Sequence, residues 1–366
     1  MILGSRVRKI EFGIMFITLS LIVFGILMIY SIGAISDGDD PLHFAKRQLL
    51  WAFFGIGIMG GMVFLDYSKL KAYFPLIYGG IILLLLTIIL FGKSTLGAQR
   101  WISIGSFQLQ PSEFAKLAII IALAAFLERS EGKLHDVKTV IQAIGITIVP
   151  ILLIIMQPDL GTALVFVFIL IGILISAGIK VKHLAVILIV GLLLVAMVFQ
   201  FNILKDYQQT RLVVFLNPDI DPSGGGYNLR QSMIAIGSGG IFGKGLFSGT
   251  QSRLNFIPER HTDFIFSVIG EELGLVGGGL LVLGFFLLLT RTLAIGANSR
   301  NHFGLLLATG ITSMWAFQVL INIGMTIGIM PITGIPLPFI SYGGSSMMTN
   351  MFAVGLLLSI YARRFS

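Results

Sequence analysis

Uninterrupted apolar runs of roughly 20 residues, repeated along most of the chain, constrain this sequence more than anything else in it. As a helix, such a run matches the roughly 30 Å hydrocarbon core of a bilayer. Inside that core no water meets the backbone N–H and C=O groups, so only helices or closed barrels can cross it. Barrel strands alternate polar with apolar residues over about ten positions, and these runs do not. The expected class is therefore an all-α polytopic membrane protein. A hydrophobic share of 56% against 11% charged fits that class and excludes an ordinary soluble domain. With no cysteine in the 366 residues, disulfides, zinc–thiolate sites and palmitoylation are excluded.

About ten spans are predicted: Phe12 to Ile35, Leu49 to Leu65, Tyr73 to Phe91, Phe114 to Leu127, Val140 to Met156, Thr162 to Gly178, Leu184 to Phe201, Phe264 to Leu289, Phe303 to Ile329 and Met347 to Tyr361. The fourth is short, and Pro111 to Glu113 can extend it. The first is too long for a signal-peptide core and lacks a cleavage pattern, so it is expected to be retained. With a cytoplasmic start, the inner loops collect Arg6, Arg8 and Lys9, Lys69 and Lys71, Arg129, Lys133 and Lys138, Lys180 and Lys182, Arg291 and Arg300, and Arg363 and Arg364. The short outer loops hold only Lys46 and Arg47, then Lys93 and Arg100. That asymmetry places both termini in the cytoplasm. It also explains the net charge of +8 better than nucleic acid does, because the basic residues are scattered. The segment from Asn202 to Thr262 becomes a large extracellular loop between spans seven and eight, within a single membrane domain, 1–366. Its glycine-rich part, Gly237 to Gly249, matches no phosphate-loop pattern and is expected to be a flexible outer loop.

Polar chemistry gathers on the outer side. In RLNFIPERHTDFIFSVIGEELGLVGG, Arg253 to Gly278, Pro258 ends any preceding structure and Thr262 is placed to cap a helix with Asp263 in its first turn. Helical geometry would keep Asp263, Ser267, Gly270 and Gly274 within about 40° of one another. One face would then carry a carboxylate above a groove of small residues, as a closely packed capped helix or as a working base. Glu271 and Glu272 would point elsewhere and pair with neighbouring spans. In LGAQRWISIGSFQLQPSEFAK, Leu96 to Lys116, Trp101 and Phe107 suit the membrane interface, while Glu113 and Lys116 share one face of a helix entry, as a salt bridge or as substrate-lining groups. QPDLGT, Gln157 to Thr162, is a tight turn in which Asp159 either caps the next span or serves the site. The long loop supplies Arg211, Arg230, Lys244, Arg253 and Arg260. Finally, prolines at 331, 336 and 338 break MPITGIPLPFISYGGSS, Met330 to Ser346, so Ser341, Tyr342, Ser345 and Ser346 would offer hydroxyls to a wet cavity.

These segments, GAQRWI with QPSE and Lys116, QPDLGT, IPERHTDFIFSVIGEELGLVG and PITGIPLPFISYGGSS, resemble the signatures of the SEDS family of shape, elongation, division and sporulation proteins. GIPLPFISYGGSS and the methionine in NIGMTIG look more like the elongation member than the division paralogue. The resemblance covers essentially the whole chain. It implies a ten-span peptidoglycan glycosyltransferase that polymerises lipid II on the outer face of the bacterial cytoplasmic membrane, with a class B penicillin-binding protein as partner. Other elongation-complex proteins would also bind. It further implies Asp263 as the catalytic aspartate and a divalent cation, Mg2+ or Mn2+.

The chemistry expected is one inverting displacement in which Asp263 takes the proton of the attacking sugar hydroxyl. Arg100, Lys116, Arg211, Arg230 and Lys244 would neutralise the lipid-linked pyrophosphate, and Ser341 and Ser345 would contact substrate. Glu113, Asp159 and Glu259 would orient those cations or hold an ion. A groove floored by Gly270 and Gly274 would admit the lipid sideways. Without the resemblance, a lipid transporter or a scaffold for wall-building partners stands beside the enzyme reading.

Overall fold

The structure is a computed structural model that describes residues 11–35, 42–91, 93–95, 98–104, 107–130, 136–200, 206–253 and 256–365. Arg6, Arg8, Lys9 and Lys133 of the inner charge pattern lie outside the described residues, as does the side chain of Arg253. The chain is helical almost throughout. Helices α1 Phe12–Ile35, α2 His43–Phe64, α3 Leu70–Phe91, α4 Pro111–Arg129, α5 Val137–Met156, α6 Leu160–Ser176 and α7 Val181–Gln200 form the first part. Then follow α8 Asp206–Leu216, α9 Gly225–Gly239, the single turn α10 Thr250–Arg253, α11 Ile265–Ala297, α12 His302–Thr326 and α13 Gly344–Ala362.

Seven of the described helices, α1, α2, α3, α5, α11, α12 and α13, are long and apolar enough to cross a membrane. Helices also stand at the other three expected positions. Of these, α6 is shorter, with 17 residues, α7 is apolar over Val181–Gly191, and α4 carries Glu113, Lys116, Glu128 and Arg129. Helix α4 starts at Pro111, whose missing N–H costs nothing in a first turn, so the short fourth span is extended as its sequence allowed.

Burial sorts the bundle into centre and periphery. Almost every residue of α4 from Pro111 to Leu127 is buried, and α12 and α13 are mostly buried, whereas α3 is largely exposed along its length. A helix screened from lipid on all sides is free to carry ionisable groups, which is how α4 holds Glu113 and Lys116. Small residues let helices approach. A Cβ on Gly55 of α2 would meet Met351 of α13 at 2.8 Å, and one on Gly355 of α13 would meet the backbone of Met59 at the same distance.

Two expectations change here. Between α3 and α4 the chain makes a small antiparallel sheet, β1 Lys93–Thr95, β2 Ala98–Ile104 and β3 Phe107–Leu109, with Ile102 opposite Leu109 and Ile104 opposite Phe107. Alternating WISI explains it, since β-branched and aromatic residues suit a half-buried strand. The segment 202–262 is also largely structured, because α8, α9 and α10 lie in it. Helix α9 packs against α11 and α12 through Ser232, whose Oγ shares a 2.6 Å hydrogen bond with Ser267 and donates to the carbonyl of Thr326 at 2.7 Å.

The expected small-residue groove on α11 is therefore not an open one. A Cβ on Gly239 of α9 would lie 2.0 Å from the carbonyl of Gly270, so backbone meets backbone there. Further along, α11 breaks at Gly274, which adopts φ +64 and ψ −160. The break frees two carbonyls and two N–H groups, and the glycine-rich segment after α9 takes up all four. Lys244 and Gly245 donate their N–H groups to the carbonyls of Glu271 and Glu272 at 3.0 and 2.9 Å. In return Leu275 and Val276 donate to Gly240 and Ile241 at 2.9 and 3.1 Å. What looked like a flexible loop is thus a backbone splint for a broken span, tolerated in the membrane because every polar group is repaid within the protein.

Candidate active site

Asp263 is held where three segments converge. It precedes α11 instead of occupying its first turn, and Thr262 does not cap that helix, because the Thr262 Oγ1 donates to the carbonyl of Glu259 and to Glu259 Oε2, each at 3.1 Å. Asn322 of α12 donates to the Asp263 carbonyl at 3.0 Å and to the Ile335 carbonyl at 2.8 Å. The Ser341 Oγ donates to the Thr262 carbonyl at 2.6 Å, and the Tyr342 N–H to the His261 carbonyl at 2.9 Å. Gly334 lies against the carboxylate: its φ is +74, and a Cβ there would stand 3.2 Å from Asp263 Oδ2.

Backbone strain concentrates in the same region. Among the described residues, Phe247, Glu259 and Phe339 have positive φ without being glycine, Glu259 and Phe339 on segments that meet at Asp263. Such conformations cost about 1–3 kcal/mol each and persist where the surroundings over-determine them, a pattern common to active sites.

Burial pushes the Asp263 carboxyl up, the Glu259 carboxylate adds to the rise and Asp159 adds a little, while the Arg211 and Arg100 guanidinium groups pull it down; the outcome is a value of about 6. A carboxyl poised there is largely ionised at neutral pH yet basic enough to accept a proton. Burial likewise holds the His261 imidazole below its ordinary value, so it is neutral, stacked on Phe44 of α2 with ring centroids 4.4 Å apart.

Arg100, on β2, donates from Nε to the Gln157 carbonyl at 3.3 Å and from Nη2 to that of Pro158, and its Nη1 is 3.8 Å from Asp159 Oδ1. Asp159 caps α6 by accepting from the Thr162 N–H at 3.2 Å. The Arg211 Nη1, from α8, lies 3.5 Å from the Thr333 carbonyl. Four of the expected site residues, Arg100, Asp159, Arg211 and Glu259, thus act on Asp263.

Other expected site residues have different duties. Lys116 and Glu113 form a 2.7 Å ion pair inside α4, 2% and 3% exposed, and the second Glu113 oxygen has no hydrogen-bond partner among the described residues. Arg230 pairs with Asp219 at the exposed surface. Lys244 reaches back to Glu271 at 2.8 Å, and that fully buried carboxylate also accepts from Thr250 Oγ1 and the Gln251 N–H. Glu272 accepts from Ser31 of α1 at 2.7 Å, so both glutamates do pair with neighbouring elements. Instead of facing a cavity, the hydroxyls brace the fold. Ser341 accepts from the Leu337 N–H at 2.9 Å, and Ser345 bridges the Gln110 N–H and the Gln108 carbonyl.

Among the described residues, no three His, Cys, Asp or Glu side chains form a cage for a metal ion. Glu259 and Asp159, the two carboxylates whose charges reach Asp263, offer hard oxygen donors. That donor set suits a cation shared with a phosphate-bearing ligand, not a protein-only site.

Residues 12–365 match the model of the FtsW, RodA and SpoVE family, described as cell cycle proteins. The chain belongs to this family. The RodA peptidoglycan glycosyltransferase of Treponema pallidum is 36% identical, with 98% of this chain and 99% of the relative aligned. Stage V sporulation protein E of Bacillus subtilis is 39% identical over 94% of each chain, and a probable FtsW of Geobacter metallireducens 36% over 98% and 96%. Among solved structures, a chain of a peptidoglycan synthase complex that coordinates polymerization and crosslinking superposes with a TM-score of 0.84 at 31% identity, covering 98% of this chain and 99% of that one.

Within this FtsW, RodA and SpoVE protein, two supports of the site went unnoticed in the sequence. Gln48 of α2 donates to the Ser341 carbonyl at 3.1 Å and accepts from the Gly343 N–H at 3.2 Å, and Asn322 bridges the Asp263 and Ile335 carbonyls. Both are fully buried amides; Asn322 stands isolated in an apolar span, which was its available signal, whereas Gln48 follows Lys46 and Arg47 and reads as part of a polar helix entry.

Proposed function

We propose that the chain is a peptidoglycan glycosyltransferase that polymerises lipid II at the outer face of the bacterial cytoplasmic membrane, with about ten spans and both termini inside. The observation that carries this reading is the half-buried Asp263 carboxyl, raised to about 6 and set against Arg100 and Arg211. In the reaction, the 4-hydroxyl oxygen of one lipid-linked sugar attacks the anomeric carbon of another. As the new C–O bond forms, the bond to the pyrophosphate breaks, its electrons leave with the phosphate oxygen, and the hydroxyl proton passes to Asp263. A single displacement of this kind inverts the anomeric centre. Because the leaving group is already an anion, it needs cations and no second carboxylic acid. Arg211 and Arg100 stand closest to that task. A Mg2+ or Mn2+ ion, held by Glu259 with the substrate phosphates, would add positive charge at the leaving group. Lys116, Lys244 and Arg230 are left out, since each is held by a carboxylate away from Asp263.

A lipid carrier would use the broken helix α11 as a midplane ion or substrate site. Here the backbone of residues 240–245 fills that break, which favours the enzyme. Within the family we assign the elongation role on GIPLPFISYGGSS and NIGMTIG, and a class B penicillin-binding protein as the partner that cross-links the strand. The test is polymerisation of purified lipid II by the reconstituted protein, with and without that partner and Mg2+ or Mn2+. Glycan strands from wild type are expected. Lipid II crossing liposomes with no polymer under any condition would replace the enzyme with a flippase.

A further inference from the structure

Tyr342 is clamped from three directions, yet its hydroxyl is left free. Phe44, Gln48 and Trp51 recur on α2 at four- and three-residue spacing, so they share one helical face, and that face seats the turn 341–344. Gln48 grips the peptide groups on both sides of Tyr342, donating to the Ser341 carbonyl at 3.1 Å and accepting from the Gly343 N–H at 3.2 Å. The Tyr342 N–H donates to the His261 carbonyl at 2.9 Å. Trp51 backs the turn so closely that a Cβ on Gly344 would stand 2.9 Å from its indole. The ring is fixed as well, edge-on to Phe44 at 5.1 Å and to His261 at 5.8 Å, while His261 stacks on Phe44 at 4.4 Å.

The polar tips of this aromatic block are unused by the protein. Among the described residues the Tyr342 hydroxyl has no hydrogen-bond partner, and neither has either ring nitrogen of His261. Both side chains are half-buried, and none of these three atoms is sealed from solvent. A side chain locked by packing and by hydrogen bonds behind it, with its own polar atom unspent, is how a ligand-binding group is held in productive geometry.

Chemistry narrows the ligand. Burial keeps the His261 imidazole neutral, and the groups around it are aromatic, so the block suits an uncharged ligand with apolar faces and polar edges. A sugar has that character and a pyrophosphate does not. The cations that suit a pyrophosphate, Arg100 and Arg211, are held by other segments, at the Gln157 and Thr333 carbonyls. His261 lies two residues before Asp263, so the sugar nearest the block is the one that gives its proton to that carboxylate.

We propose that Tyr342, with His261 beside it, binds the 2-acetamido group of the acceptor sugar. The tyrosine hydroxyl donates to the acetamido carbonyl oxygen, and an imidazole nitrogen accepts from its N–H. The proposal rests on the glycosyltransferase reading and names the part of the substrate that this block selects.

The test is a cycle of two changes, one in the protein and one in the substrate, with the full-length protein in lipid nanodiscs. Tyr342→Phe keeps the ring and removes the hydroxyl, so the unfolding temperature should stay at the wild-type value. The second substrate is a lipid II analogue whose terminal sugar carries a 2-hydroxyl in place of the acetamido group. Tyr342→Phe should lower kcat/KM for lipid II about tenfold, the loss of one neutral hydrogen bond made in the transition state. Wild type should lose at least as much on the analogue, and on that analogue Tyr342→Phe should match wild type within about twofold. Equal losses on both substrates would make Tyr342 a structural residue, and no loss on lipid II would make its hydroxyl idle; either result overturns the proposal. The same cycle read as binding to Asp263→Asn, which needs no turnover, decides the acetamido contact even if wild type makes no glycan. Polymerisation with an uncoupled cycle therefore sinks this subsite alone, and a coupled binding cycle without polymerisation sinks the enzyme reading alone.

Discussion

Replacing Glu259 with glutamine should move the acidic limb of the rate profile to lower pH, and replacing Arg211 with glutamine should move it up. Asp263 is the base only when ionised, so kcat/KM should fall below its value of about 6, tenfold per pH unit, and level off above about pH 7. At pH 5 only about 10% of such a carboxyl is ionised, against more than about 90% of an ordinary aspartate. Glu259 raises Asp263, so its removal should lower the limb by roughly half a unit to one unit, the Coulomb energy of one partly screened charge nearby. Arg211 lowers it, and its loss should raise the limb by a similar amount and, in the proposed reaction, also reduce the plateau by removing a charge from the pyrophosphate's surroundings. The assay is polymerisation of subsaturating lipid II in nanodiscs between about pH 4.5 and 8, at fixed ion and ionic strength. A limb near pH 4, or one that neither variant moves, would refute Asp263 as the titrating base.

Three further outcomes follow from the geometry. Lys116→Met strands the buried Glu113 charge and should cost about 3–5 kcal/mol of stability, whereas Lys116→Met with Glu113→Gln should recover most of it; thermal unfolding in detergent distinguishes them. Gly274→Ala would force a Cβ to within 2.3 Å of the Gly243 nitrogen at φ +64, so it should expel the 240–245 splint and expose that segment to limited proteolysis. Expression in cells depleted of the elongation or the division polymerase should restore rod shape in the first and fail to restore septa in the second; the reverse would reassign the chain to division.

The membrane class and most spans were legible because a single property, an apolar run of bilayer length, decides them. Asp263 stood out in the sequence through Pro258, the charges of PERHTD and the polar residues around them. Its setting did not. Thr262 satisfies the capping pattern, yet its hydroxyl goes to Glu259, because the 257–264 segment is shaped by Ser341, Tyr342 and Asn322 from distant parts of the chain. Helical periodicity put Gly270 and Gly274 on a shared face, but periodicity cannot foresee a backbone break that residues 240–245 fill. The cations illustrate the same point. Arg100, Arg211, Arg230 and Lys244 look alike in sequence, and only the fold separates the two near Asp263 from the two that neutralise Asp219 and Glu271.

The most direct test is a comparison of wild type with Asp263→Asn, which keeps the shape and removes the base. With partner and ion present, wild type should make long glycan from purified lipid II, and the variant should make none while unfolding at the same temperature and binding lipid II as well as before. Glycan of normal length and rate from a well-folded Asp263→Asn protein would contradict a mechanism in which this carboxylate takes the proton.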